Sequence, residues 1–159
     1  MNDSESTAHY LVFTLFGAKF ALPLLWIREA IERPDFLAKS TFSSRFFGMV
    51  QMGEETLPVI DLRPKLKQHF EQGSEALNPL MAYRPEVALA CSIPWGQEAV
   101  PVALAIDRVQ CLLSTDSPSV DSVSMGTKKI PLLTAADLLT HEESRVALEI
   151  LRTSKKKIA

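Results

Sequence analysis

The chain has 159 residues, of which 47% are hydrophobic and 23% charged, and its formal net charge is -2. This length suits one compact domain or two small barrels that share a core, and the weak negative charge argues against nucleic acid as a partner. No apolar run reaches the roughly 18 to 20 residues that span a bilayer, and the polar start is unlike a signal peptide. We therefore expect a cytoplasmic protein without membrane insertion.

The first predicted element is a β-hairpin that follows a polar tail. Residues 1–9 are polar and of mixed charge, so we expect them to be disordered. Residues 10–16 are rich in aromatic and β-branched side chains, and a short turn at Gly17 separates them from the apolar residues 20–22. This pattern predicts two paired strands.

Residues 23–34 allow two interpretations. Leu24, Ile27 and Ile31 have helical spacing behind Pro23, which fits a short helix. The same residues also fit a short turn that leads into a strand. Local propensity leaves both structures open.

Residues 48–63 read GMVQMGEETLPVIDLR and predict a second hairpin around an acidic turn. Pro58 has no N–H to donate, so its strand is expected at a sheet edge or bulge. Asp61 and Arg63 are two positions apart on a strand end, so their side chains start on the same face. A structural ion pair, an N-cap for the turn at Pro64 and a partner contact all fit this spacing.

The next part of the chain predicts a loop followed by more strands. Residues 71–85 have the Gly, Ser, Asn and Pro content of a loop and form the best subdomain boundary. Residues 86–93 and 99–106 predict strands, and 108–113 continue the sheet. Residues 114–129 are Ser-rich and polar and give a weaker signal, with no element predicted there.

The C-terminal part predicts a strand at 130–133, a short helix at 135–139 and a final amphipathic helix. Thr140 and Glu143 have the spacing of a capping box at the start of this helix. Its apolar positions are Val146, Ala147, Ile150 and Leu151. The three lysines at 155–157 predict a solvated tail.

No arrangement of residues suggests catalysis or metal binding. His9, His69 and His141 lie in the predicted tail, beside a loop and at a helix start, so none is placed as a base in a rigid site. The glycines are isolated, so no phosphate-binding loop can be drawn. Cys91 and Cys111 lack metal-site spacing and predict buried free thiols. We expect no enzyme, no cofactor and no metal.

Residues 48–63 resemble, position for position, the segment of CheW-like chemotaxis coupling domains that reads Gly-Val-x-Asn-Leu-Arg-Gly-x-x-x-Pro-x-x-Asp-Leu-Arg. Residues 10–34, 100–114 and 129–139 resemble further segments of that family in the same order. The resemblance implies a mainly β fold over residues 10–140, with two SH3-like five-stranded β-barrel subdomains around a shared core. It implies no catalysis, and it favours the turn-then-strand structure after the first hairpin.

The resemblance also implies a domain organisation. Its parts are a first subdomain at 10–70 with a contribution from 130–140, a linking loop at 71–85, a second subdomain at 86–129, and a C-terminal helix and basic tail at 141–159. Residues 120–130 are fewer than in the family, which normally has a further strand there. We therefore expect a shortened second barrel, which is either open or has an edge that a partner completes.

Family members hold a chemoreceptor's cytoplasmic tip and the regulatory domain of the histidine kinase CheA in one array. The resemblance thus implies a non-catalytic adaptor with both partners, and with other CheW-like domains as further ones. The kinase-facing residues that it implies are Ile27, Glu29, Ala30 and Gly48. Ile27 and Ala30 fit a core position equally well, whereas Glu29 is a charge among apolar residues.

One departure from the family concerns the receptor contact. The family's receptor-associated arginine falls on Gly53, and Glu54 and Glu55 follow, so an acidic turn replaces a basic one. An arginine contact to an acidic receptor helix cannot form there. The residues that carry the structural signature are Pro58, Asp61 and Arg63.

Two other functions fit the sequence less well. One is a specialised CheW-like adaptor for a pilus or polar-localisation system, in which the acidic turn meets a basic partner. The other is a small-ligand-binding or catalytic β-barrel, against which stands the missing polar constellation.

Overall fold

A computed structural model describes residues 7–37, 46–70, 84–116, 119 and 121–158, and the side chains of 154–158 are not described. The strands are β1 (Ala8–Leu15), β2 (Ala18–Pro23), β3 (Ile27–Glu32), β4 (Phe36–Leu37), β5 (Gly48–Met52), β6 (Glu55–Ile60), β7 (Val87–Trp95), β8 (Glu98–Ile106), β9 (Arg108–Thr115), β10 (Ser122–Met125) and β11 (Lys128–Pro131). The helices are α1 (Ala135–Leu138) and α2 (His141–Ile158). Short 3-10 turns cover Leu24–Trp26 and Lys67–His69.

The described strands form three sheets. One has six strands in the order β3-β7-β8-β6-β5-β4, one has the order β2-β1-β9, and β10 and β11 form a ribbon. Neighbouring strands are antiparallel except β6 and β8, which run parallel. The predicted mainly β class is confirmed. The sheets join strands from both sides of the linking loop, since β1 pairs with β9 and β3 with β7. The predicted division into subdomains stays a prediction. Residues 71–83 of the linking loop lie outside the described residues.

The inner strands of the two larger sheets are buried on both faces, which produces three apolar cores. The central core lies between the sheets and includes Phe13, Leu15, Phe20, Leu22, Leu62, Leu89, Leu104 and Ile106. The inner core of the six-stranded sheet consists of Val50, Leu57, Val59, Ala88, Ala90, Ala103 and Ala105. The inner core beside β1 consists of Tyr10, Val12, Ala21, Val123 and Ile130.

The two faces of a strand separate these cores because side chains alternate along it. On β7, Val87 and Leu89 face the central core, whereas Ala88 and Ala90 face the inner core of the six-stranded sheet. Alanine recurs on the inner face of β8 as well. Small side chains suit the inside of a curled sheet, where the strands approach one another and leave little volume.

The β10–β11 ribbon covers the inner core beside β1. Val123 and Ile130 are cross-strand partners and are both buried there. The ribbon is attached to β2, since Leu133 donates its N–H to the carbonyl oxygen of Ala21 at 3.0 Å. No element was predicted for residues 114–129, and the structure has β10 there. Because β10 contains polar serines, the sequence does not indicate a strand there. Pairing with β11 stabilises it.

Two sequence predictions near the first hairpin have clear outcomes. The turn-then-strand structure is confirmed, because a 3-10 turn at Leu24–Trp26 leads into β3. Order begins earlier than predicted, since Ala8 and His9 belong to β1 and the ring nitrogen Nδ1 of His9 lies 2.7 Å from the Ser114 hydroxyl. Residues 1–6 lie outside the described residues.

The prediction that Pro58 marks an edge strand or a bulge is wrong, because β6 lies inside the six-stranded sheet between β5 and β8 and pairs with β5 without a register shift. The parallel pairing with β8 begins at Val59, which faces Ala103, and continues to Ile60. Pro58 therefore precedes that ladder, and its missing N–H leaves no hydrogen bond unmade there.

Both helices begin at side-chain caps. In α2 the predicted capping box is present: Glu143 donates its N–H to the Thr140 hydroxyl at 3.1 Å, and the Glu143 carboxylate accepts the Thr140 N–H at 2.9 Å. Glu143 also forms an ion pair with Lys65, at 2.5 Å between Nζ and Oε1. Val146, Ala147 and Ile150 pack in the central core, so α2 is held by its cap and by its apolar face.

Asp107 connects β8 and β9 where the chain passes from one sheet to the other. Its carboxylate accepts the Phe16 N–H at 2.7 Å, and its own N–H donates to the Thr14 carbonyl at 3.0 Å. Burial raises the pKa of Asp107, and the hydrogen bond from Phe16 opposes this. The folded protein thus binds a proton at this carboxyl more readily than the unfolded chain.

We expect the stability of Asp107→Asn, relative to wild type, to depend on pH. Because the pKa of Asp107 is higher in the folded protein than in the unfolded chain, wild-type stability falls as the pH rises from the unfolded pKa through the folded pKa. The wild type should therefore gain stability relative to Asp107→Asn when the pH is lowered from 7 towards 4. Urea unfolding at both pH values measures this, with Asp107→Ala as the variant that loses the acceptor for the Phe16 N–H. A relative loss of wild-type stability at low pH would contradict the sign.

Candidate functional site

β3 carries three of the four predicted kinase-facing residues. It is an edge strand of the six-stranded sheet, and Glu29 and Ala30 on it are exposed. Ile27 and Ile31 are half-buried and pack against the central core and the inner core of the six-stranded sheet. The two apolar ends thus fix the strand, and the residues between them face solvent. We call Arg28, Glu29 and Ala30 the β3 surface.

A β-bulge interrupts β3 at Arg28. Ile27 faces Cys91 and Glu29 faces Ala90, which leaves Arg28 as an extra residue without a partner on β7. Bulges of this kind redirect a side chain. Here the Arg28 guanidinium lies 2.6 Å from the carboxylate of Glu55. The bulge therefore connects β3 to the start of β6, although the two strands are far apart in the sheet order.

The turn between β5 and β6 is a two-residue loop of Gly53 and Glu54. Gly53 has φ +61°, whereas Glu54 does not have a positive φ, which is the pattern of a type II′ turn with glycine at its first position. Gln51 braces the loop by donating to the Gly53 carbonyl at 2.9 Å and accepting from the Thr56 hydroxyl at 2.8 Å. Glu54 is thus exposed on a well-defined turn. We call Gly53, Glu54 and Glu55 the acidic turn.

The two predicted partner surfaces are therefore neighbours. The Arg28–Glu55 ion pair joins one residue of the β3 surface to one of the acidic turn. Both side chains are about one-third exposed (34% and 31%), so the pair contributes only about 0 to 1 kcal/mol to folding. It shows that the acidic turn lies beside β3.

Gly48, the fourth predicted kinase-facing residue, is not brought into this surface. It is buried on β5 and faces Val59 on β6. A partner does not reach it in this conformation, and its predicted role stays a prediction.

Asp61 and Arg63 form the ion pair that the sequence allowed. Nη2 of Arg63 lies 2.7 Å from Oδ2 of Asp61, Nε lies 3.0 Å from Oδ1, and the Arg63 N–H donates to the same Oδ1. This bidentate geometry is the strong form of such a pair. It closes the chain reversal after β6 and gives both residues a structural role in the described fold.

The titratable groups do not form a catalytic arrangement in the described parts of the chain. His9 contacts Ser114, His69 packs edge-on against Phe20, and His141 packs against Trp95. Burial raises the pKa of the Cys91 thiol to about 12, so this thiol is not a nucleophile near neutral pH. Among the same residues, no group of three or more His, Cys, Asp or Glu side chains could hold a metal ion.

Sequence reasoning missed two exposed leucines. Leu25 is 97% exposed at the centre of the 3-10 turn before β3, and Leu112 is 62% exposed on β9. Leu24 and Trp26, on either side of Leu25, pack against the central core. No sequence signal distinguishes Leu25, because the three apolar residues 24–26 are equivalent until the turn geometry is known.

Comparisons with known proteins identify the same family that residues 48–63 suggest. A family model described as CheW-like domain matches residues 9–151. Among solved structures, the scaffolding protein TtCheW from Thermoanaerobacter tengcongensis superposes with a TM-score of 0.57 over 79% of this chain and 87% of that chain, at 14% identity. At this identity the likeness shows the fold, and the SH3-like barrel architecture is thereby confirmed. No curated protein matches the chain. No helix in the described residues is long and apolar enough to cross a membrane.

Proposed function

Because the chain belongs to the family of CheW-like domains, we propose that this non-catalytic adaptor links the regulatory domain of a CheA-type histidine kinase to chemoreceptor tips. The kinase domain binds the β3 surface, with Glu29 at its centre. Its action is to hold proteins in a fixed geometry, so that the state of a receptor changes the output of the kinase.

The observation that supports this proposal is that β3 is an edge strand with an exposed surface. An edge strand that exposes Glu29 and Ala30 while Ile27 and Ile31 are packed beneath it presents a rigid surface to a partner. A preorganised surface costs little entropy on binding. Its mixed charged and small side chains also discourage uncontrolled pairing at the sheet edge.

Receptor docking is altered in this proposal. The acidic turn takes the place of the family arginine, so a contact with an acidic receptor helix is lost and replaced by repulsion. The acidic turn also favours a second candidate function, an adaptor for a pilus or polar-localisation system whose partner is basic at this position.

Separate binding measurements with the two partners test the proposed function. The purified chain is titrated with a CheA-type kinase regulatory domain and, in another experiment, with a receptor tip fragment, by isothermal titration calorimetry. We expect strong binding to the kinase domain and weak but detectable binding to the receptor tip. Strong binding to the receptor tip alone would refute the proposal, and binding to neither would favour the adaptor for another system.

A family-like turn is expected to restore only part of the receptor contact. Gly53→Arg alone places a side chain at φ +61°, which costs about 1 to 2 kcal/mol of strain. The double variant Gly53→Arg with Glu54→Gly moves the glycine to the second turn position, as in the family pattern. Since an exposed ion pair is worth about 0.2 to 1 kcal/mol, we expect at most about a fivefold gain in receptor-tip affinity.

The matched control for the double variant is Glu54→Gly alone, which removes the acid without adding the arginine. A gain in receptor affinity of the same size in both would assign the effect to lost repulsion. No gain in either would show that the turn does not contact the receptor.

A further inference from the structure

We infer that the β3 surface and the acidic turn are one continuous surface, which a single protein partner with basic side chains opposite Glu29 and Glu54 occupies as a whole. This rests on the proposed function, in which that partner is the kinase regulatory domain. It adds that the kinase domain also contacts the acidic turn, so a receptor cannot bind the turn while the kinase domain is bound.

The first observation is the Arg28–Glu55 ion pair, with 2.6 Å between the charged groups. Glu29 follows Arg28 on β3, and Glu54 precedes Glu55 in the turn. Consecutive Cα atoms are about 3.8 Å apart. Glu29 and Glu54 are therefore each one residue away from a member of the Arg28–Glu55 ion pair.

The second observation is the packing beneath the surface. Ile31 of β3 and Met52, the last residue of β5, pack against the same inner core. Phe36 of β4 packs there as well, which shows that the six-stranded sheet curls until its two edges approach each other. The closeness of β3 and the acidic turn is thus a property of the fold and does not depend on one surface ion pair.

The third observation is the distribution of charge. Arg28 and Glu55 neutralise each other, whereas neither Glu29 nor Glu54 has an ion-pair partner among the described residues. The joined surface is therefore net negative. Complementary charge at an interface gives specificity and faster association, so a partner with basic side chains at both positions is favoured.

A typical protein interface is too large for two partners to bind the β3 surface and the acidic turn separately. A standard interface covers about 800 Å² on each protein and about 20 to 30 residues. A partner centred on Glu29 with an interface of this size covers the acidic turn as well. Binding of a second protein to the turn would then compete with the first.

Charge reversal at each acid, measured against the same partner, tests this inference. The kinase regulatory domain is titrated with Glu29→Arg and with Glu54→Arg. We expect both single reversals to weaken binding by about tenfold or more and to reduce its salt dependence.

Glu98→Arg is the matched control, because Glu98 is an exposed acid at the start of β8 whose reversal changes the net charge equally, and its ion pair is with Arg152 on α2. If Glu29→Arg weakens binding while Glu54→Arg leaves it unchanged, the single surface is wrong and the proposed function stands. If the wild type does not bind the kinase domain, the proposed function itself fails. If receptor-tip and kinase domains bind simultaneously, with Glu54→Arg affecting only the receptor tip, the inferred competition is refuted.

Discussion

Glu29→Arg is expected to weaken binding of the kinase regulatory domain by about a hundredfold, the largest effect that we predict for a surface substitution. The side chain is exposed on an edge strand whose two apolar ends are fixed by packing. Reversal of its charge removes an attraction and places two cations opposite each other. Such like-charge contacts cost several kcal/mol, and a hundredfold change corresponds to about 2.7 kcal/mol.

The substitution should leave the fold intact. Glu29 contributes no described hydrogen bond or ion pair, and exposed substitutions of this kind change unfolding free energy by less than about 0.5 kcal/mol. Calorimetric binding at fixed ionic strength, together with thermal unfolding, separates the two effects. Unchanged affinity in Glu29→Arg, or an equal loss in the distant Glu98→Arg, would contradict a specific contact at β3.

Much of the fold follows from local patterns in the sequence. Continuous runs of apolar residues mark β1, β7 and β8, and the spacing of Thr140 and Glu143 marks the start of α2. These signals suffice because each is decided by a few neighbouring residues. β10 was missed because its serines have weak strand propensity, and its stability comes from a partner strand and from packing on Val12 and Ala21.

The candidate site could be predicted only in part. The family resemblance pointed to Glu29 and to the acidic turn, but it treated them as two surfaces. Their connection depends on a bulge that gives β3 one extra residue at Arg28, and on the curling of the six-stranded sheet, which brings β3 near the β5–β6 turn. Neither property has a local sequence signal, because the bulge arises from the register of β3 against β7 and the curl from the packing of the whole sheet.

Backbone geometry also explains the exposure of Leu25. A hydrophobic residue between two others is expected to be buried, and Leu24 and Trp26 do pack against the central core. The 3-10 turn directs the middle residue away from them. Exposure was therefore decided by backbone geometry and not by hydrophobicity.

Phe13→Ala is expected to lower the unfolding free energy by about 3 to 5 kcal/mol, the usual cost of deleting a buried aromatic ring. Phe13 is fully buried on β1, where it faces Phe20 with 5.7 Å between ring centroids. It belongs to the central core, which also contains residues of β7 and β8 from the six-stranded sheet. The cavity would therefore remove contacts from both sheets at once.

The way in which Phe13→Ala unfolds tests whether the two sheets are one cooperative unit. Trp26 and Trp95 pack against the central core, so their fluorescence reports on it, whereas far-ultraviolet circular dichroism reports on all strands. Coincident urea transitions by both probes are expected in wild type and variant, because a shared core couples the sheets. Leu25→Ala removes a comparable apolar group from a 97% exposed position and should change stability by less than about 0.5 kcal/mol. Two separate transitions would instead mean that the barrels unfold independently, and that a partner bound to one of them is not coupled to the other through this core.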